Sequence, residues 1–364
     1  LDRVLASLCN SLCIARRSDC GRCNGGTHIR LSHKWWLNVL ANTHVNCLGR
    51  GDWADAVAFV RVLVSVVALL TRGLKYGVEF SGGRTFVIRF DQEISDNDVR
   101  DALERTFFAD GVEGDAAYKS FEVKQFGAVD QMQKRITTQY MYDDDSQDAN
   151  ATVEKLMYEA LAPLFATPLS LEEFHSTAIN PYGIISADMV GPSVASDITR
   201  NSFIAVFFGL IAIGLYIILR FRKWQWGAGS VIALAHDAFL TIGVFSLLYG
   251  VLPFSLEVNQ AFIAAILTII GYSINDKVVV FDRIREYQTL YPKRNMFENI
   301  NNAINSTLAR TINTSATTVV VLLAIFLFGG EVIRGFVFAL MFGIIIGTLS
   351  SIFIATPVSY DLMS

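Results

Sequence analysis

The residues of this 364-residue chain that could do chemistry are charges placed where charges are expensive. His236 and Asp237 interrupt the apolar run IALAHDAFL, Asp276 and Lys277 interrupt TIIGYSINDKVVVF, and Arg310 sits in NSTLARTINTS. Each Asp, Lys or Arg near the centre of a membrane helix costs about 2.5–3.5 kcal/mol on the insertion scale. Four of them would cost on the order of 10–14 kcal/mol, comparable to a whole domain's stability of about 5–15 kcal/mol. Such groups must face a bundle interior, pair, neutralise or touch water, and they mark functional positions by default. Burial favours the neutral form of a carboxyl group, and a nearby guanidinium favours the ionised form. A guanidinium that approaches and retreats would therefore drive proton release and uptake, which is the minimal part list for a proton relay.

The elements that must position these groups are membrane helices. Uncharged stretches run over Asn201–Leu219, Ala238–Leu256, Val258–Asn275, Thr311–Gly330 and Gly335–Tyr360. Each is about as long as the roughly 20 residues needed to cross a hydrocarbon core. A weaker sixth candidate, ADAVAFVRVLVSVVALL, carries Arg61 inside it. Six spans are expected, over roughly 54–71, 201–220, 227–249, 259–281, 306–328 and 335–357. The composition agrees: 52% hydrophobic, 18% charged and mean hydropathy +0.40, where soluble chains carry about 25% charge. That excludes disorder, a secreted disulfide scaffold and an ordinary soluble enzyme. The net charge of −4 offers no basic field for nucleic acid.

Charge asymmetry orients the spans. Arg220, Arg222 and Lys223, beside Trp224 and Trp226, follow the second, and Arg283, Arg285, Lys293 and Arg294 follow the fourth; the opposite turns offer only Arg334. Lys and Arg collect on the cytoplasmic side, so both termini are expected in the cytoplasm and the polar block 73–198 outside it. At 1.5 Å per residue, Asp276 lies about 7 Å above the Phe281 end of its span and Arg310 about 6 Å inside from the same side. Depth thus permits an Asp276–Arg310 pair. His236 and Asp237 lie about 15 Å into the third span, and Asp237 has Lys277 as an alternative partner. Beside the relay stands a static reading, in which buried pairs fix helix register and His236 is a neutral core residue.

The polar block reads as a small α+β domain. Tyr76–Phe90 gives two strand-like runs broken at Gly82-Gly83, and Ser95 to Phe108 a helix opened by Ser95 with Asp98 three residues on. Phe121–Phe126 and Ile136–Met141 alternate as strands, Asp148–Phe165 has helical period, and Ile184–Val190 returns as a strand before Gly191-Pro192. The order βαββαβ suits a ferredoxin-like split βαβ sandwich. The expected fold is thus a six-helix membrane bundle with an extracytoplasmic ferredoxin-like domain: a segment 1–53, a first helix 54–72, the domain 73–198 and a five-helix region 199–364.

The first fifty residues differ in character. They hold Cys9, Cys13, Cys20, Cys23 and Cys47, of which only Cys20-x-x-Cys23 has standard zinc-ligand spacing, so no metal site is expected. No apolar signal region precedes Arg16 and Arg17. The start at Leu1 reads as truncated or mispredicted, followed by an interfacial segment at Trp35-Trp36. Gly343-x-x-x-Gly347 is a helix-contact motif, and Gly82-Gly83 lacks the Lys-Ser/Thr of a phosphate loop. No Ser/His/Asp or H-E-x-x-H arrangement supports hydrolysis.

Several of these segments resemble the SecD/SecF family. GVEFSGGR at Gly77–Arg84 is similar to its glycine-pair box, GPSVASDI at Gly191–Ile198 to its GP-x-V box, and IALAHDAFLTIG, AAILTIIGYSINDKVVVFDRIREY and LARTINTSATT to SecF spans three to five. The likeness covers about 35–364 and is nearest to the SecF half of fused SecDF proteins, within the RND superfamily. It implies a non-enzymatic protein-export accessory of the bacterial inner membrane. Such a subunit works with a SecD half, the SecYEG channel and SecA, draws on the proton gradient without a cofactor, and pulls preproteins outward. Carried across by motif, the proton-conducting residues are Asp276 and Arg310, and Gly82, Gly83, Gly191 and Pro192 are motif positions. Lys277 departs from the family's small Thr or Ser, Arg61 from its apolar first span, and residues 1–34 match nothing in it. Proton-coupled export of lipids or small molecules, and a purely structural membrane subunit, are the competing functions.

Overall fold

The computed structural model describes residues 51–108, 121–126, 132–144, 146–175, 181–252 and 254–363. The five cysteines, Trp35-Trp36 and most of the 1–53 segment lie outside the described residues.

A 22-residue helix, α1 (Gly51–Arg72), leads into a one-turn helix α2 (Val78–Ser81). The sheet domain follows: β1 (Gly83–Arg89), α3 (Asp96–Phe107), β2 (Glu122–Phe126), β3 (Gln133–Thr138), α4 (Gln147–Leu161), the short α5 (Leu171–His175) and β4 (Gly183–Val190). The sheet order is β2-β3-β1-β4 with every neighbour antiparallel. With α3 after β1 and α4 after β3, this is the expected split βαβ arrangement. Alternation along the strands sends Phe86, Ile88, Val123, Ile136 and Ile184 to one face, where they pack on Val99, Leu103 and Phe107 of α3 and Val153, Met157 and Leu161 of α4. Ser95 caps α3 by accepting from Asn97 N–H, and Ser146 caps α4 by accepting from Ala149 N–H.

One expected strand is absent. The first of the two runs in Tyr76–Phe90 is not sheet, because its backbone is engaged elsewhere. Gly77 N–H donates to Val258 O (3.0 Å) and Val258 N–H to Lys75 O (2.8 Å), while the Ser81 hydroxyl bonds Gly77 O and winds the α2 turn.

Five further helices follow: α6 (Pro192–Phe221), α7 (Trp224–Leu248), α8 (Gln260–Leu290), α9 (Met296–Phe328) and α10 (Glu331–Ser350), the last continued by a π-turn (Ser351–Ala355) and α11 (Thr356–Asp361). Among the described residues five helices, counting α10 to α11 as one, are long and apolar enough to cross a membrane. At 22 residues α1 is about 33 Å long, enough by length for a sixth, and it packs along α7. Several helices outrun the expected spans. α6 starts at Pro192, since Pro fits the first helical turn, so 192–198 belong to this helix and not to the sheet domain. α8 runs on to Leu290, and α9 begins at Met296 with its Asn295 cap. Apolar content marks where the lipid ends, not where the helix does.

Two apolar clusters fill the bundle. One gathers Leu234, Phe245, Phe262, Ile266, Ile270 and Leu340, the other Ile217, Phe221, Trp226, Phe281, Ile284 and Ile300. On α8, Ser273, Asp276 and Lys277 fall between the two clusters in sequence, and on α7 Asp237 lies within the first, between Leu234 and Phe245. Near the end of α8, Asp282 ties Arg220 (2.9 Å) to Arg285 (3.2 Å), and the sheet domain lies against the opposite, α7–α8 loop end.

Candidate functional site

Successive helical residues point about 100° apart, and this separates Asp276 from Lys277. Lys277 is fully buried and turned towards α7, where its Nζ lies 3.1 Å from Asp237 Oδ2, with neither side chain exposed. Lys277 also donates to Ser273 Oγ and to Ser350 Oγ (3.2 Å), so its three N–H groups all have acceptors. Asp237 Oδ2 accepts from Ser273 (2.9 Å) and Ser350 (2.7 Å) as well. Its Oδ1 is 3.3 Å from His236 Nδ1, and His236 Nε2 is buried with no hydrogen-bond partner among the described residues. A buried pair repays its desolvation only when the remaining lone pairs and protons are also satisfied. Here they are, by hydroxyls from α8 and α10.

Asp276 points elsewhere. It is 3% exposed, and its Oδ2 lies 3.4 Å from Thr348 Oγ1 of α10. Thr348 already donates to Ile344 O (2.8 Å) and meets Ser315 Oγ of α9 at 2.6 Å. Asp276 thus sits where α8, α9 and α10 meet, beside hydroxyls and without a paired cation among the described residues. The expected Asp276–Arg310 pair is not formed. Arg310 is on the exposed side of α9, with Thr314 and Thr317; Thr268, Gly271 and Asn275 are exposed on α8. The alternative Asp237–Lys277 pairing is the one present.

The motif glycines have a steric basis. Gly82 has φ +72° and Gly83 φ +143°; a Cβ at Gly82 would lie 2.7 Å from the Tyr142 ring, and one at Gly83 2.9 Å from Thr138 O. The adjoining Arg84, 3% exposed, donates to Asn150, Met141 O (3.0 Å) and Asp144 O (2.8 Å), fixing the turn after β3. Gly191 has open space around it and serves as N-cap before Pro192. These residues shape the sheet domain and its exit, well away from the charged layer. Gly343 and Gly347 let α10 close on Ile269 and Ser273 of α8. Ser273, Ser315, Thr348 and Ser350 were missed by reading charges alone; their signal is hydroxyls on the buried faces of otherwise apolar helices.

The geometry defines a multi-pass membrane bundle with a charged and hydroxyl-rich layer, capped by a split βαβ domain behind a glycine pair. Residues 171–364 match the family described as protein export membrane protein SecD/SecF, C-terminal, and 67–94 the SecD/SecF GG motif. The chain is 42% identical to the protein translocase subunit SecF of Rhodothermus marinus, over 90% of this chain and 96% of that one. It is 36% identical to SecF of Cereibacter sphaeroides, over 83% and 86%. The crystal structure of SecDF from Thermus thermophilus superposes with a TM-score of 0.70 at 29% identity, covering 89% of this chain and 39% of that longer one. The chain belongs to the SecF family of protein translocase subunits.

Proposed function

We propose that this chain is an auxiliary subunit of Sec protein translocation in the bacterial inner membrane, using the proton gradient to assist late export of preproteins. Its termini lie in the cytoplasm and its sheet domain outside, since the basic residues gather at the bundle end remote from that domain. The partners are a SecD half, the SecYEG channel with SecA, and the unfolded preprotein.

The observation that carries the reading is the contrast between two neighbours. Lys277 is committed to Asp237, whereas Asp276 is buried at a three-helix junction beside hydroxyls and in no ion pair among the described residues. An ionised Asp276 can only accept from the Thr348 hydroxyl, in competition with Ile344 O, whereas a neutral one can donate to the Thr348 oxygen. Proton uptake at Asp276 therefore changes the contact between α8 and α10. One charge crossing 100 mV supplies about 2.3 kcal/mol, enough to bias a two-state change more than tenfold. Asp237–Lys277 takes the static role.

Asp276→Asn is expected to abolish gradient-stimulated export in inverted vesicles that also hold the SecD partner, while ATP-driven export continues. Undiminished gradient stimulation would remove the relay role, and altered drug sensitivity with normal secretion would favour the small-molecule exporter. The exposed polar stripes of α8 and α9 fit burial against the SecD half. Gly271 has open space around it, so Gly271→Leu should leave the thermal unfolding of the isolated chain unchanged yet reduce co-purification with SecD severalfold.

A further inference from the structure

The sheet domain does not lie flat on the bundle. A cleft of about 810 Å³, lined by Thr85, Val87 and Thr137 of the open sheet face and by Glu257, Asn259 and Phe336, separates them. Discrete ties bridge it. Lys124 on β2 reaches Glu257 Oε1 of the α7–α8 loop (2.8 Å), its strand neighbour Glu122 (2.7 Å) and Ser255 Oγ (3.4 Å), and its Nζ lies 5.4 Å from the centre of the Tyr249 ring. Glu122 in turn takes Lys75 (3.2 Å) and the Tyr249 hydroxyl (3.1 Å). Beside this knot, Glu79 accepts from the Gln260 N–H at the first turn of α8 (3.2 Å).

We propose that Lys124 is a positioning residue that transmits displacement of the sheet domain to α8 and, through it, to Asp276. Asp276 is 16 residues beyond Gln260 on one unbroken helix, about 24 Å along its axis. A helix is stiff along its axis, so a pull on the loop holding its first residue is delivered to the carboxyl group, and protonation there is returned as a push on β2. Burial opposes charge on both Lys124 and Glu122. It is outweighed by Glu257 and Glu122 for the lysine and by Lys124 and Lys75 for the glutamate, so the ammonium is held above its ordinary range and the carboxyl below its own. By linkage, the glutamate's contribution is lost only on acidification below the ordinary carboxylate range, and the lysine's only on alkalinisation above the ordinary lysine range. The tie stays charged through the neutral range and does not itself carry the transported proton.

This inference rests on the relay reading, and the test separates the two. Gradient-stimulated and ATP-driven export are measured in inverted vesicles holding the SecD partner, for Lys124→Met, Lys124→Arg, Glu257→Gln and Asp276→Asn, with exposed Lys155→Met as control. The expected result is at least a tenfold loss of the gradient-stimulated component in Lys124→Met and Glu257→Gln, retention in Lys124→Arg, and unchanged ATP-driven export and membrane content throughout. Full gradient stimulation in Lys124→Met and Glu257→Gln, with Asp276→Asn inactive, overturns the transmission role alone. Equal loss of both components, or loss in Lys124→Arg as well, also overturns it, marking a generally structural residue. An active Asp276→Asn overturns the relay beneath it.

Discussion

Lys277→Met is expected to destabilise the bundle by about 3–5 kcal/mol, read as a lower midpoint of thermal unfolding in detergent. Removing one partner of a buried pair strands the other charge, and that penalty is typically of this size. Here Asp237 would keep its hydroxyl donors from Ser273 and Ser350 but lose the buried Lys277 ammonium 3.1 Å away. Asp237→Asn should cost a similar amount by stranding Lys277, which has no exposed surface through which to reach water. The double variant Asp237→Leu/Lys277→Met should recover most of the loss, because apolar replacement of a whole buried pair is often neutral or stabilising. A double variant as unstable as the sum of the singles would refute the pairing. One that is stable but lacks gradient-driven export would show that the pair does more than hold register.

Gly347→Leu is expected to cost about 3 kcal/mol or more and to abolish export. Overpacking a dense interior typically costs about 1–3 kcal/mol, and this position adds a polar loss. A Cβ there would lie 2.7 Å from Ser273 Oγ and 3.0 Å from its Cβ, and 3.7 Å from Asp237 Oδ2. α10 must therefore back away from α8, and in doing so it withdraws Ser350 from the ion pair and Thr348 from Asp276. Gly347→Ala, with the same first atom but nothing beyond it, should show a smaller loss. Equal stability of Gly347→Leu and the unaltered protein would mean that α8 and α10 are not in the close contact described.

Much of this architecture was legible because periodicity and depth are properties of a linear string. The five long spans, the split βαβ order and the Ser95 cap follow from local patterns. Direction around a helix axis does not, and this is where the reading diverged: Asp276 turns into the junction of α8, α9 and α10, whereas Arg310 is on the exposed side of α9. A charge at the right depth faces a partner only if the packing of α8, α9 and α10 turns it there, and that packing is set by glycines and hydroxyls far apart in sequence. The first run of Tyr76–Phe90 failed for a related reason. Its strand propensity lost to hydrogen bonds with Val258, far along the chain. The knot at Lys124 joins residues as distant, and its only local trace is the two-residue spacing of Glu122 and Lys124, which places both on one face of a strand.

Beyond Ser350 the last helix winds through a π-turn at Ser351–Ala355 before resuming at Thr356, whose hydroxyl bonds Ser351 O (3.0 Å). Its regular ladder is already interrupted there. The far end is anchored, since Ser359 and Ala355 seat closely against Gly229 of α7. The stretch bearing Thr348 and Ser350 is therefore clamped at both ends, by Gly347 against Ser273 of α8 and by Ser359 against Gly229 of α7, with the wider π-coil carrying the change of winding between the two clamps.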